Sequence, residues 1–172
     1  RIAAQECCNS EEVSCKGDAS LTASLYKAML LAKTSIYAQG FALISSVNKE
    51  CSYGIDMKQL SVIWQNGCII KSEFLKEIYQ AYEKNPDVSN LLVSPVFIKH
   101  IQECRTALQE VIHYAMEQRI YVPVLCSALN YINGYTSAEL ETNLIQAQRD
   151  CFGAHTYERV DQEGVFHSDW LK

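Results

Sequence analysis

From Ser20 to Cys51 apolar residues recur at intervals of three and four: Leu21, Leu25, Met29, Ala32, Ile36, Gly40, Leu43 and Val47. That spacing sets them on one face of an α-helix. A helix of about thirty residues is long for a globular domain and constrains everything around it, because its apolar face must be covered by other elements. Gly40 in its interior costs up to ~1 kcal/mol relative to alanine, which close packing against another helix would explain.

The rest of the chain is punctuated in the same manner, by only three prolines and seven glycines. Residues 5–19 are polar and aperiodic and read as a loop. Asp56 with Gln59 resembles a capping box, followed by Leu60, Ile63 and Trp64 on one face, with Gly67 placed to end a short helix. Residues 68–84 form the next predicted helix, with Ile69, Phe74, Ile78 and Tyr82 apolar and Asn85-Pro86 as its stop. Ser94-Pro95 opens a long helix that runs through Ile98, Ile101, Ala107, Leu108, Val111, Ile112 and Ala115 to about Gln118, with serine at the cap and proline in the first turn. Pro123 opens a fifth, carrying Leu125, Leu129, Ile132 and Tyr135. The sixth runs from Glu139 to Phe152 and is closed by Gly153. Residues 120–125 are too short and too proline-bound for a strand, so no strand pair is expected. The class is all-α.

The tail, residues 154–172, has no helical period yet holds Val160, Val165, Phe166 and Trp170. An irregular segment cannot bury these against itself, so it is expected to lie on a surface, of its own domain or of a partner.

With 172 residues the chain is one domain by size, or a piece of a larger protein. It is 48% hydrophobic and 20% charged, which is ordinary globular composition rather than that of a disordered chain. The formal net charge of −5 argues against broad nucleic-acid binding, which needs a basic face, but leaves room for one small phosphate ligand held by two or three cations. No apolar run approaches membrane-spanning length, and no signal-peptide pattern opens the chain. There is no initiator methionine. Arg1-Ile2-Ala3-Ala4-Gln5 reads like the interior of a helix, which suggests a fragment. The eight cysteines, at 7, 8, 15, 51, 68, 104, 126 and 151, show no C-x-x-C spacing, and the four histidines are scattered. Reduced structural thiols in a cytoplasmic protein are the expectation, and no metal site.

No Ser-His-Asp or Cys-His arrangement, no H-E-x-x-H and no glycine-rich dinucleotide loop is present in the sequence. Charged helix positions such as Lys76, Glu77 and Glu83 read as solvated. The densest polar stretch is NLIQAQRDCFGAHTYER, residues 143–159. Arg149 falls in the last turn of a helix, Gly153 breaks it, and the break lets His155 approach the space of the Arg149 head group. A planar guanidinium beside an imidazole suits a phosphate dianion. The competing reading is local: an arginine near a helix C-terminus complements the dipole, and a histidine after glycine can be a mere cap.

The same stretch resembles the C-terminal signature of decarboxylating 6-phosphogluconate dehydrogenases. Six further blocks agree in order: RIAAQ at 1–5, YAQGF at 37–41, GCIIKSEFL at 67–75, SNLLVSPVF at 89–97, VPVLCSALNYINGY at 122–135 and GVFHSDW at 164–170. The resemblance implies the later part of an all-helical domain, over 1–153, and a tail, over 154–172, that docks on a partner subunit. The dinucleotide-binding domain is not in this sequence. It further implies NADP-dependent oxidative decarboxylation of 6-phosphogluconate to ribulose 5-phosphate and CO2, in the pentose phosphate pathway, by a cytoplasmic homodimer with a shared active site. Neither a metal, nor nucleic acid, nor a membrane is implied. The family's base, a lysine, and acid, a glutamate, lie in segments not present here, as do the cofactor glycines, so no catalytic residue is assigned and the 172 residues alone are expected to be inactive. Arg1 matches the family arginine that grips the substrate phosphate. Arg149 and His155 match the arginine and histidine that reach the substrate from the second subunit. Cys151 stands where the family usually has tyrosine, Lys71 where it has arginine, Asn133, Gly134 and Thr136 where it has aspartate, serine and arginine, and Glu141 where it has proline. These departures bear on packing around 133–141 and spare the three proposed phosphate ligands. A rival of another class is a non-catalytic helical dimerisation module derived from the enzyme.

Overall fold

The computed structural model describes residues 2–7, 17–66 and 69–170. Gly67 and most of the 5–19 loop, together with Arg1, lie outside the described residues. Seven α-helices run in order: α1 (Ile2–Cys7), α2 (Ala19–Cys51), α3 (Met57–Gln65), α4 (Phe74–Lys84), α5 (Pro95–Glu117), α6 (Pro123–Tyr135) and α7 (Asn143–Gly153). The short α1 agrees with the helical reading of residues 1–5, and the other six are the helices that the periodicity predicts. A 3-10 turn, Leu91–Val93, precedes α5. Two short strands, β1 (Tyr157–Glu158) and β2 (Val165–Phe166), close the chain.

The chain divides into two compact units, residues 1–132 and 133–172. In the first, α2 packs against α5, and α3 against α4. The local start signals work as their chemistry requires. The Asp18 carboxylate accepts from the Leu21 N–H at 2.7 Å, and that of Asp56 from the N–H groups of Lys58 and Gln59 at 2.8 and 3.2 Å. Pro95 occupies the first turn of α5 after Ser94. The face that α2 buries is made of Ala28, Leu31, Ala32, Thr34, Ser35, Tyr37, Ala38 and Phe41. Small residues along that line allow the close approach of another helix, and α5 contributes Phe97, Ile101, Cys104, Leu108, Val111 and Ile112 to the same core. Rings fill the centre: Phe41 meets Trp64 edge-on at 5.1 Å, and Phe74 lies 5.4 Å from Tyr37 and 5.3 Å from Phe97.

The long helix therefore buries a different face from the one its apolar spacing suggests. Of the predicted stripe only Ala32 is buried. Leu25, Met29, Ile36, Leu43 and Val47 are exposed, and the first three line an apolar groove of about 850 Å³ whose other wall is Tyr121–Leu125. The helix has apolar residues on two sides, and periodicity does not rank them. Among the described residues Gly40 has no close neighbour to explain it, since a Cβ built on it meets nothing within 4 Å.

Two helices start later than predicted. α4 begins at Phe74 rather than at residue 68, because the Ser72 hydroxyl accepts from the Phe74 N–H at 3.3 Å and the Ser72 carbonyl from the Leu75 N–H at 3.1 Å, while Ile69 is fully exposed. α7 begins at Asn143 rather than at 139, because the Leu140 and Glu141 carbonyls are taken up by three-residue turns from Asn143 and Leu144. Glu77, read as solvated, lies against His100 at 3.3 Å, in a ring-lined position where His100 stacks near Phe74 and Phe97. Of the cysteines described, Cys104 is buried and its thiol pKa is pushed up by that burial, with Lys27 opposing and Glu103 adding to the shift, whereas Cys7, Cys51 and Cys151 are exposed rather than packed as small hydrophobes.

The second unit departs most from expectation. The tail folds as a small antiparallel hairpin, with Tyr157 opposite Phe166 and Glu158 opposite Val165. The turn contains Gly164 at φ +121°, a conformation L side chains rarely adopt. Phe166 is half-buried, with the Tyr157 ring at 6.3 Å and the Arg159 guanidinium over its face at 5.6 Å. Val160 and Val165 remain exposed.

Candidate functional site

Arg149 lies in α7 but before its last turn, not in the last turn as the sequence suggests, because the helix runs on through Gly153; His155 lies two residues beyond its end, and both are exposed. The helix includes Gly153, and the left-handed cap is Ala154 at φ 49°, one position later than the sequence suggests. Thr156 is also left-handed, at φ 63°. Each such non-glycine residue costs on the order of 1 kcal/mol, so the turn 153–156 exists only because surrounding bonds dictate it. Gly153 is needed for space. A Cβ there would come within 2.8 Å of His155 Cδ2 and 3.0 Å of Nε2, so the imidazole lies over the glycine that ends the helix.

The bonds that dictate the turn come from two side chains of α7. Gln146 Nε2 donates to the Thr156 carbonyl at 2.5 Å, while its Oε1 accepts from Arg149 Nη1 at 3.2 Å. The Asp150 carboxylate accepts from the Thr156 N–H at 2.9 Å. Thr156 is thus held at both of its backbone groups, and Gln146 ties the segment bearing His155 to Arg149. An open hollow of about 350 Å³ adjoins, lined by Gln146, His155, Thr156, Tyr157, Glu158 and Val165. Arg159 is not available to it, because its guanidinium forks onto Asp161 at 2.8 and 2.6 Å.

Asp150 also holds the tail. Oδ1 accepts from His167 Nδ1 at 2.8 Å in addition to Thr156, and Oδ2 accepts from the Ser168 N–H at 3.0 Å and Trp170 Nε1 at 2.8 Å. Burial by itself would raise the carboxyl's pKa. The bonds from Ser168, His167, Trp170 and Thr156 outweigh it and hold the group well below the usual carboxylate range. Sequence reasoning found Arg149 and His155 but missed Asp150 and Gln146. A signal for Asp150 was present: a carboxylate in the last turn of a helix opposes the helix dipole, so it calls for a partner elsewhere.

A family described as 6-phosphogluconate dehydrogenase, C-terminal domain, matches residues 1–170. The chain belongs to this family. It is 39% identical over 173 residues to the decarboxylating 6-phosphogluconate dehydrogenase of Staphylococcus aureus (strain N315), covering 100% of the chain and 37% of that protein. It is 40% identical over 172 residues to the enzyme of the same name from Escherichia coli (strain K12), covering 99% and 37%. The solved 6-phosphogluconate dehydrogenase of Plasmodium falciparum, described in apo form, with its cofactor NADP+ and with its substrate 6-phosphogluconate, superposes with a TM-score of 0.90 at 31% identity, over 98% of this chain and 37% of that one. The chain thus spans 37% of the length of the relatives it matches. The all-helical class agrees with that family.

The described residues offer no cradle for a dinucleotide. Their strands are two residues long, and no helix follows a strand through a glycine-rich turn. No described helix is long and apolar enough to cross a membrane.

Proposed function

We propose that this chain is the C-terminal portion of a decarboxylating 6-phosphogluconate dehydrogenase, in which it supplies ligands for the substrate phosphate and contacts between subunits. The observation that carries the proposal is that one side chain, Gln146, bonds both the Arg149 guanidinium and the carbonyl of Thr156, the residue next to His155, in a chain whose relatives bear that enzyme's name over the full matched length. A doubly charged phosphate ester matches two donors of that kind: the guanidinium can give two parallel N–H bonds and the imidazole one. Arg1 is the proposed third ligand. Gripping the phosphate fixes the remote end of the sugar acid, so that binding energy orients the carbon that reacts.

No step of the oxidation is assigned to residues of this chain. NADP accepts the hydride when bound, and its place is in the portion of the full-length enzyme that this chain does not span, with the base and the acid. The homodimer, with Arg149 and His155 lent across it and the tail 154–172 docked on the partner, and the cytoplasmic location belong to the same proposal. The exposed Val160 and Val165 support the docking, since apolar side chains held outward by a hairpin are suited to a second surface.

Arg149→Ala in the full-length enzyme is expected to raise KM for 6-phosphogluconate in proportion to a loss of about 1.5–3 kcal/mol, the usual cost of deleting a charge-assisted contact. KM for NADP should not move. An unchanged KM for the sugar acid would overturn the assignment.

A further inference from the structure

We propose that Asp150 is the positioning residue of the phosphate site: by accepting four hydrogen bonds from the tail it fixes the turn that carries His155. The inference rests on the reading of Arg149 and His155 as phosphate ligands and deepens it.

Three observations converge on this residue. It is the one fully buried side chain among the described residues of the second unit, at 0% exposure, and it is a carboxylate. All four of its bonds go to residues that follow α7, at 156, 167, 168 and 170, so its contacts are not those of a helix-stabilising charge. The first bond goes to the N–H of the residue immediately after His155, which sits in the strained left-handed region. Gln146, one helical turn before Asp150, holds the carbonyl of that same residue and the Arg149 head group.

The geometry distributes the load evenly, two donors to each carboxylate oxygen. An asparagine of the same size has one acceptor oxygen and one N–H2, which would face donors and be left unmatched. Neither oxygen of Asp150 points to the hollow next to His155, since both are occupied by the tail. Its effect on a bound phosphate is therefore exerted through Thr156 and its neighbours. Because His167, Ser168 and Trp170 hang from the same carboxylate, the hairpin and the ligand turn are held as one piece. A disturbance of the tail is expected to reach the phosphate ligands.

The test is a set of variants in the full-length enzyme. Asp150→Asn should raise KM for 6-phosphogluconate about ten-fold, in keeping with the loss of charge-assisted bonds, leave KM for NADP unchanged and lower kcat much less than it raises KM. The emission of Trp170 should shift as its N–H loses the carboxylate. In combination with Arg149→Ala, Asp150→Asn should add little to KM, because the two act on one ligand site. A normal KM for Asp150→Asn alongside a raised KM for Arg149→Ala would overturn the positioning role and leave the phosphate reading intact. Full additivity of the two would also overturn it. An unchanged KM in Arg149→Ala would overturn the phosphate reading and this inference with it. Should Asp150→Asn fail to fold, Trp170→Phe carries the test, since it removes one of the four donors to the Asp150 carboxylate while keeping an aromatic ring in place. A raised KM with retained kcat is then expected, and an unchanged KM overturns the inference.

Discussion

The two units of this chain are held together by opposite means. In residues 1–132 the buried positions are almost all apolar, built around Phe41, Phe97, Leu31, Leu75, Ile78 and Leu108. In residues 133–172 the described residue that is fully buried is Asp150, and the unit is organised by what that carboxylate accepts. The first kind of cohesion is non-directional and tolerates small shifts. The second is directional: it works only if four donors arrive at the right angles, and it fixes backbone positions on either side of each donor. A phosphate site of the kind proposed, which needs Arg149 and His155 in a set relation, would benefit from the second kind.

The contrast can be tested from its strongest consequence downwards. Phe41→Ala should destabilise the first unit by about 3–5 kcal/mol, the usual loss for a fully buried ring, read as a shift in the denaturant midpoint. A loss typical of a surface substitution would show that the core is not centred on α2. Gly153→Ala should raise KM for 6-phosphogluconate without lowering thermal stability, because alanine favours the helix while its Cβ displaces the His155 ring. An unchanged KM would mean that the imidazole is not held where it acts.

Acid should act on the two units differently. The Asp150 pKa is lowered in the folded hairpin, so its stabilisation is complete above the ordinary carboxylate value, near about pH 4, and is lost as pH falls through the lowered folded value. The docked Trp170 emission should therefore persist at neutral pH and fade only below that ordinary value, with His167 the titratable partner on the same carboxylate. Loss of the signal well above it would assign the latch to another group. The smallest effect is at Gly40, where alanine should stabilise α2 by about 0.5–1 kcal/mol, since no atom lies in its way. Destabilisation there in the full-length protein would show that the exposed apolar stripe of α2 is closely covered by another part of it.

Signals that act within one helical turn were legible in the residues. Asp56 caps, Pro95 starts α5, and Asn85 ends α4, each through groups no more than four positions away. Where a start depended on a competing turn, as at Ser72 and at Leu140, the boundary was misplaced by several residues, because short-range propensity does not rank two nearby starts. Arg149 and His155 could be read from their own pattern. For Asp150 only an unfavourable charge near a helix end was visible, and for Gln146 nothing, because their partners stand ten or more residues off or in a turn with no recognisable spacing.

The sequence by itself determined that this chain is helical, roughly where its helices run, and that Arg149 and His155 flank the end of α7, because caps, prolines and periodicity are local physics. Only the tertiary structure decided which of two apolar faces of α2 is buried, that the tail is a hairpin, and that a carboxylate is its anchor. Those outcomes depend on which surfaces and donors meet across the chain, and burial and hydrogen-bond geometry are properties of that meeting rather than of any one segment.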